Sequence, residues 1–338
     1  MEFKINKGTN ISHWLSQHLK GDDFRKRFSE KDCDFLVNFG FDHIRIPFEE
    51  QVLWDKNGVL NKEALKMLHK GVEWALSRNL NVILDLHATY SHHFCMEDQN
   101  TLFSDNESQK RFGQIWSFIS DEFKYLPADK VAYELLNEPV AKNHSDWNKV
   151  LQIPYHILRE KEPDRVIAVG SNRWCQAVTF PYFTPPENDE NMILVFHYYN
   201  PMALTHYKAS WIKYLKDYSG PISYPGIPYS AEELNKMPAD MKEYMESENG
   251  YFDTEVMKKQ LMPVLEKGAA MNLKLWCNEF GVISSAPEKL ARQWYKDLFT
   301  LFDEYNIAWT NWDFKGGFGI ADADNNLTIN GKNLKQWC

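Results

Sequence analysis

Short apolar runs alternate with longer amphipathic stretches along the whole chain, and this rhythm constrains the fold more than any other feature. The runs Gly8–Ile11, His43–Pro47, Val82–His87, Val131–Asn137, Val166–Gly170, Ile193–Tyr199, Leu273–Glu279 and Ala308–Trp312 read as strands. Between them, Phe24–Phe39, Lys62–Ser77, Ser108–Phe123, Ser145–Arg159, Thr254–Met271 and Pro287–Tyr305 read as helices. Leu65, Leu68, Val72 and Leu76 share one face of the second, and Pro287 marks the start of the last. Strands separated by helices build parallel βαβ units. About eight of them predict an α/β fold, a closed (β/α)8 TIM barrel, rather than an open doubly wound sheet. No G-x-G-x-x-G follows the first strand, which argues the same way.

One connection is too long. Roughly seventy residues separate Tyr199 from Leu273, where a single helix would suffice. The excess, 201–253, carries Tyr207, Trp211, Tyr214, Tyr218, Tyr224, Tyr229, Tyr244 and Tyr251, with Pro221, Pro225 and Pro228. The expected organisation is one barrel domain over 1–338, with 201–253 as a small aromatic-rich insert over the C-terminal mouth, where strand-to-helix loops gather. Such an insert serves either as a packing flap or as a wall of a ligand cleft.

The bulk numbers exclude several functions. A net charge of −9 argues against nucleic acid, whose backbone demands a basic surface, and against an anionic membrane surface. No apolar run is long enough to span a bilayer. The cysteines Cys33, Cys95, Cys175, Cys277 and Cys338 are scattered and odd in number, with no C-x-x-C pair, so neither a disulfide framework nor a zinc knuckle is expected. Aromatics make up 14% of the residues, which suits a large core and equally a surface for flat-faced ligands such as sugars. Without a leader-like start the chain reads as cytoplasmic, or as secreted if a signal peptide once preceded it.

The chemistry concentrates at two strand ends. Leu135-Leu136-Asn137-Glu138-Pro139 and Trp276-Cys277-Asn278-Glu279-Phe280-Gly281 each place a glutamate where an apolar run turns polar. Two carboxylates at one barrel mouth are what glycosidic hydrolysis requires, one as acid and one as nucleophile or base. Strand alternation puts Ala132, Glu134, Leu136 and Glu138 on one face. Glu134, deeper in the barrel, then needs a partner, and Arg45 is the candidate. Gly281 would allow a tight turn after Glu279. Arg45, His87, His197, Tyr199 and Trp312 stand at other strand ends. A lone strand histidine is usually structural, but a set converging on one mouth points to a site.

On these residues the chain resembles glycoside hydrolase family 5, the cellulase-type branch of the retaining (β/α)8 clan, and is most similar to compact single-domain endoglucanases with an insert after the sixth strand. The resemblance rests on Arg45, His87, Asn137-Glu138-Pro139, His197 with Tyr199, Glu279 and Trp312 in that order, and on the segments Gly8-Thr9-Asn10-Ile11, Phe41-Asp42-His43-Ile44-Arg45 and His197-Tyr198-Tyr199-Asn200-Pro201. It implies Glu279 as nucleophile and Glu138 as acid and then base, with Arg45 and Tyr199 keeping Glu279 ionised and His197 tuning Glu138. Asn137 would bind the sugar 2-hydroxyl. Trp312 would form the platform beneath that sugar, with a strained peptide to Asp313, and His87 would contact the same sugar or its neighbour. His13, Trp14, Trp174, Trp211 and Lys315 are further subsite candidates, with a core role equally open to each.

The activity implied is a retaining endo-β-1,4-glucanase acting on cellulose-like chains, cello-oligosaccharides or mixed-linkage β-glucan, with no cofactor, no metal and no protein partner expected. The alternatives are an endo-β-1,4-mannanase or an exo-β-glucanase on the same residues. More distant are a metal-dependent barrel hydrolase using His87, His197, Asp85 and Asp313, which no H-x-H or H-E-x-x-H spacing supports, and an inactive sugar-binding protein.

Overall fold

The computed structural model describes residues 3–17 and 23–338. Eight parallel strands close into a barrel in chain order: β1 (Lys7–Asn10), β2 (His43–Glu49), β3 (Asn81–Ala88), β4 (Val131–Glu134), β5 (Ile167–Gly170), β6 (Met192–Tyr198), β7 (Lys274–Phe280) and β8 (Ala308–Asn311). The ring is sealed by β1 pairing with β8, Gly8 opposite Thr310. Helices α1 (Glu30–Phe39), α2 (Lys62–Leu76), α3 (Asn106–Phe123), α4 (Gln152–Lys161), α5 (Thr254–Met271) and α6 (Glu288–Glu304) belong to the connections between strands. This is the (β/α)8 barrel that the alternation predicts.

Local chemistry explains where elements depart from the sequence reading. The helix read from Phe24 begins only at Glu30, because the Asp32 carboxylate turns back to accept from the Ser29 backbone N–H (2.7 Å) and hydroxyl (2.8 Å). The stretch read as Ser145–Arg159 is two helices, His144–Val150 and α4. Pro154 cannot donate to the Val150 carbonyl, so the first helix has no continuation there. Between β6 and α5 lie three short helices, Met202–Thr205, Ala231–Lys236 and Ala239–Ser247.

Two apolar cores divide the labour. Inside the barrel, Ile83, Ala132, Ala168, Ile193, Val195, Trp276 and Ala308 pack with Phe3 and Ile5 of the N-terminal segment. A much larger core fills the space between strands and helices. There the Trp14 ring meets Phe28 at 5.0 Å between centroids, and a Cβ on Gly71 of α2 would lie 2.4 Å from the indole. Trp14 is fully buried and therefore a core residue rather than a ligand-facing one. Trp14→Ala is expected to lower unfolding stability by about 3–5 kcal/mol, read from urea denaturation. A loss well under 1 kcal/mol would contradict this packing role.

Candidate active site

The site is assembled around one buried guanidinium. Arg45 on β2 points into the barrel with no exposure to solvent. Its Nε donates to Glu134 Oε2 (2.7 Å) and its Nη2 to Glu134 Oε1 (2.9 Å), a two-pronged contact. Nη2 also donates to Asn137 Oδ1 (2.9 Å) and lies 3.0 Å from Asp85 Oδ2. Nη1 donates to Asn10 Oδ1 (2.8 Å) and to Glu279 Oε1 (2.8 Å). The partner read from sequence for Glu134 is the one found.

Two backbone irregularities deliver the glutamates. β4 ends at Glu134, and the strict alternation extended to Glu138 does not hold. Leu136 packs in the outer core, whereas Asn137, three residues beyond Glu134, faces Arg45. The tip is hooked to β3 by the Asn137 N–H donating to the Leu86 carbonyl (3.0 Å), and Glu138 takes the left-handed conformation (φ 46°) before Pro139. On β7, the pairing register with β6 shifts so that His197 lies opposite Glu279 while Phe196 lies opposite Cys277. Asn278 is the extra residue of this bulge. Consecutive Asn278 and Glu279 thereby both reach inward: Asn278 Nδ2 donates to Glu134 Oε1 (2.8 Å) while Glu279 takes Arg45. The following Gly281 does not have a positive φ. A side chain is excluded there because a Cβ would come within 2.3 Å of the Trp312 carbonyl oxygen.

The two carboxylates share one histidine. His197 Nδ1 lies 2.8 Å from Glu138 Oε1 and 3.6 Å from Glu279 Oε2. One oxygen of each glutamate and this nitrogen all fall within 4.8 Å of one another. Tyr199 Oη donates to Glu279 Oε2 (3.1 Å). His87 lies parallel to Trp312, 3° between planes and 5.5 Å between centroids, and the Trp312–Asp313 peptide is cis. A cleft of about 820 Å³ opens above, lined among others by His87, Asn137, Glu138, Trp174, His197, Tyr199, Trp211, Glu279 and Trp312. Phe94, Gln176 and Phe318 also line it and carried no sequence signal.

The environments of the two glutamates differ. Burial pushes Glu138 up to about 8, with Arg45 pulling it back and Glu134 adding to the rise. Burial also raises Glu279, to about 7, against the pull of His197 and Arg45 and with a push from Glu138 and Asp85. Glu279 therefore gives up its proton first, as its direct donors Arg45 and Tyr199 require. The pair titrates as one coupled system. Burial lowers the pKa of His197, favouring the neutral imidazole.

The remaining candidates separate. Trp174 and Trp211 line the cleft, and the Trp174 indole N–H is fixed by the Phe94 carbonyl (3.0 Å). Lys315 is drawn away from the cleft by Asp32, 2.7 Å from its Nζ, so the subsite expectation fails there. His13 is not among the cleft-lining residues, its Nδ1 lying 3.1 Å from the Gln17 carbonyl and its Nε2 3.8 Å from Asp313. The alternative metal set is not brought together either: Asp85 pairs with His87 and Arg45, and Asp313 accepts from Ser12. Among the described residues, the only grouping close enough to share an ion is Glu138, His197 and Glu279, whose atoms already pair with one another and, for Glu279, with Arg45 and Tyr199. No described helix is long and apolar enough to cross a membrane. Sequence reasoning missed Asn10 and Asn278 as members of the Arg45 cluster; Asn10 stands directly opposite Arg45 in the β1–β2 register and Asn278 lies two residues after the inward Trp276, but an uncharged asparagine on a strand drew no attention.

A closed parallel barrel with paired carboxylates at its C-terminal mouth defines a glycoside hydrolase of the (β/α)8 class. Residues 7–317 match the model of the cellulase family, glycosyl hydrolase family 5, and the chain belongs to that family. It is 31% identical to Endoglucanase C of Acetivibrio thermocellus over 319 residues, covering 91% of this chain and 90% of that one. It is 26% identical to Cellodextrinase A of Ruminococcus flavefaciens, covering 90% and 84%. Among solved structures it superposes on the cellulose synthase subunit Z of Clostridioides difficile with a TM-score of 0.78 and 25% identity, covering 98% of this chain and 99% of that one.

The raised carboxyl groups have a stability consequence. Folded Glu138 holds its proton up to about 8, whereas the unfolded chain releases it near the ordinary glutamate value. Its protonated form thus favours folding below that ordinary value, and the benefit is lost as pH rises through about 8. Glu138→Gln, which cannot ionise, is expected to be more stable than wild type by roughly 1–3 kcal/mol at pH 9 and equal to it at pH 4.5, measured by thermal or urea unfolding at both values. Equal stability at both pH values would show that Glu138 ionises in the fold without cost.

Proposed function

We propose that this protein is a retaining endo-β-1,4-glucanase acting on β-glucan chains by double displacement through a glycosyl-enzyme. The observation that carries this reading is the placing of one Glu138 oxygen and one Glu279 oxygen within 4.8 Å of each other. Retaining enzymes hold their carboxyl groups about 5–5.5 Å apart, whereas inverting ones leave roughly 6.5–9.5 Å for a water between them. The endoglucanase and cellodextrinase relatives support a β-1,4-glucan substrate.

In the first step, the Glu279 carboxylate attacks the anomeric carbon while Glu138 gives its proton to the departing glycosidic oxygen. The C–O bond to the leaving sugar breaks and an ester to Glu279 forms. In the second step, Glu138, now ionised, takes a proton from water as that water attacks the anomeric carbon, and Glu279 leaves as carboxylate. Arg45 and Tyr199 hold Glu279 ready to attack. Asn137, with its Oδ1 committed to Arg45, offers its Nδ2 to the sugar 2-hydroxyl. The indole of Trp312 underlies that sugar, and Trp174 and Trp211 give flat faces to neighbouring rings along the cleft.

Reducing-sugar release should be seen from carboxymethylcellulose and barley β-glucan, and Glu279→Gln should reduce it by roughly 10³-fold or more. Full activity in Glu279→Gln would overturn the nucleophile assignment. Hydrolysis confined to glucomannan would overturn the substrate. With an aryl cellobioside bearing a good leaving group, the rate needs ionised Glu279 and protonated Glu138. The wild-type kcat/KM is then expected to fall below about 7 and again above about 8. The alkaline fall should vanish in Glu138→Gln, and its persistence would assign that limb to another group.

A further inference from the structure

His87 and Trp312 stack with parallel rings in the lining of the cleft that holds the catalytic pair, and something must hold the imidazole at that angle. On its cleft-distal side, His87 Nδ1 lies 2.7 Å from Asp85 Oδ2. Phe94 meets the imidazole edge-on at 5.3 Å between centroids. Among the described residues, Nε2 makes no hydrogen bond, and His87 lines the cleft. Asp85 is fully buried; its Oδ2 also contacts Arg45 Nη2 (3.0 Å), while its Oδ1 has no hydrogen-bond partner. Burial raises Asp85 to about 7; above that pH the carboxylate anchored on the guanidinium is an acceptor only, so the imidazole nitrogen facing it carries the hydrogen. The other nitrogen then presents a lone pair.

We propose that Asp85 is a positioning residue for the hydrolysis: it locks His87 as the Nδ1–H tautomer, parallel to Trp312, so that Nε2 accepts a hydrogen bond from a hydroxyl of the bound sugar. This rests on the glucanase reading for the identity of the ligand, though the tautomer itself does not. The logic is that of a carboxylate orienting a functional imidazole from behind. It also makes the site selective for a donor at that place, since a lone pair rejects another acceptor. Asp85 spans two parts of the machinery, because the Arg45 it touches holds Glu279 through the other guanidinium nitrogen. The charged and titratable groups around the pair are Arg45, Glu49, Glu134, Glu138, Glu279, His92, His93 and His197.

The direct test is the ¹⁵N–¹H spectrum of histidine-labelled full-length protein, with His87 assigned by its loss in His87→Gln. The expected result is a ring proton on Nδ1 of His87 in the wild type between pH 7 and 9, and its loss or transfer to Nε2 in Asp85→Ala. On an aryl cellobioside, Asp85→Ala should lower kcat/KM by about 10–100-fold. Asp85→Asn, which keeps an acceptor oxygen, should recover part of that loss. It should also move the acid limb of the pH profile to lower pH, because one of the negative charges opposing Glu279 ionisation is gone while Arg45 remains. A wild-type His87 protonated on Nε2 would overturn the proposal whether or not any variant folds. So would an Asp85→Ala protein with unchanged kcat/KM. Absence of glucan hydrolysis by wild type, with the tautomer as stated, would instead overturn the substrate and with it the sugar hydroxyl as donor.

Discussion

The structure depends on the burial of one positive charge among several negative ones. Arg45 lies inside the barrel in contact with Glu134, Asp85 and Glu279. Taking a guanidinium out of water is costly, and removing any one partner from such a cluster leaves an uncompensated buried charge. Each strand that contributes to the cluster is therefore held in register by it: β1 through Asn10, β2 through Arg45, β3 through Asp85, β4 through Glu134 and β7 through Asn278 and Glu279. The barrel wall and the catalytic geometry are one construction. The direction of Glu279 is set by the same guanidinium that neutralises the floor beneath it.

Burial of that floor, and next its surplus of carboxylates over one arginine, raise the proton affinity of Glu138, Glu279 and Asp85. The site is thus built at the expense of the fold's stability above neutral pH. The two glutamates diverge through their neighbours. Glu279 has Arg45 and Tyr199 donating to it, whereas Glu138 faces a neutral imidazole. An acid and a nucleophile emerge from identical side chains because one is surrounded by donors and the other is not.

Much of this was legible in the sequence, for identifiable reasons. Strand existence followed from apolar runs, and the strand-end polar residues marked the mouth, since a parallel barrel gathers all its C-terminal strand ends at one rim. The Glu134–Arg45 pairing followed from the cost of a buried carboxylate. What escaped were the floor asparagines Asn10 and Asn278, and the departures from period two by which Asn137 and Glu279 reach inward. The slip between Glu134 and Asn137 and the bulge at Asn278 turn inward residues that alternation assigns elsewhere, and no local composition announces either. Trp14 and Lys315 were ambiguous for a different reason: tryptophan serves cores and ligands alike, and a lysine's direction depends on its carboxylate partner, here Asp32, far away in sequence. The cleft wall formed by Trp211 and Tyr244, between β6 and α5, depends on tertiary placement that aromatic content alone does not specify.

The claim on which the account turns is that Glu279 and Glu138 act from opposite roles at a distance too short for an intervening water. It is tested most directly by the configuration of the product. Proton NMR of the anomeric signals during the first minutes of cellotetraose or cellopentaose hydrolysis, before mutarotation, should show the new reducing end as the β-anomer. Initial formation of the α-anomer would mean a single inverting displacement, and would contradict both the assignment of Glu279 as nucleophile and the mechanism built on the spacing of the two carboxylates.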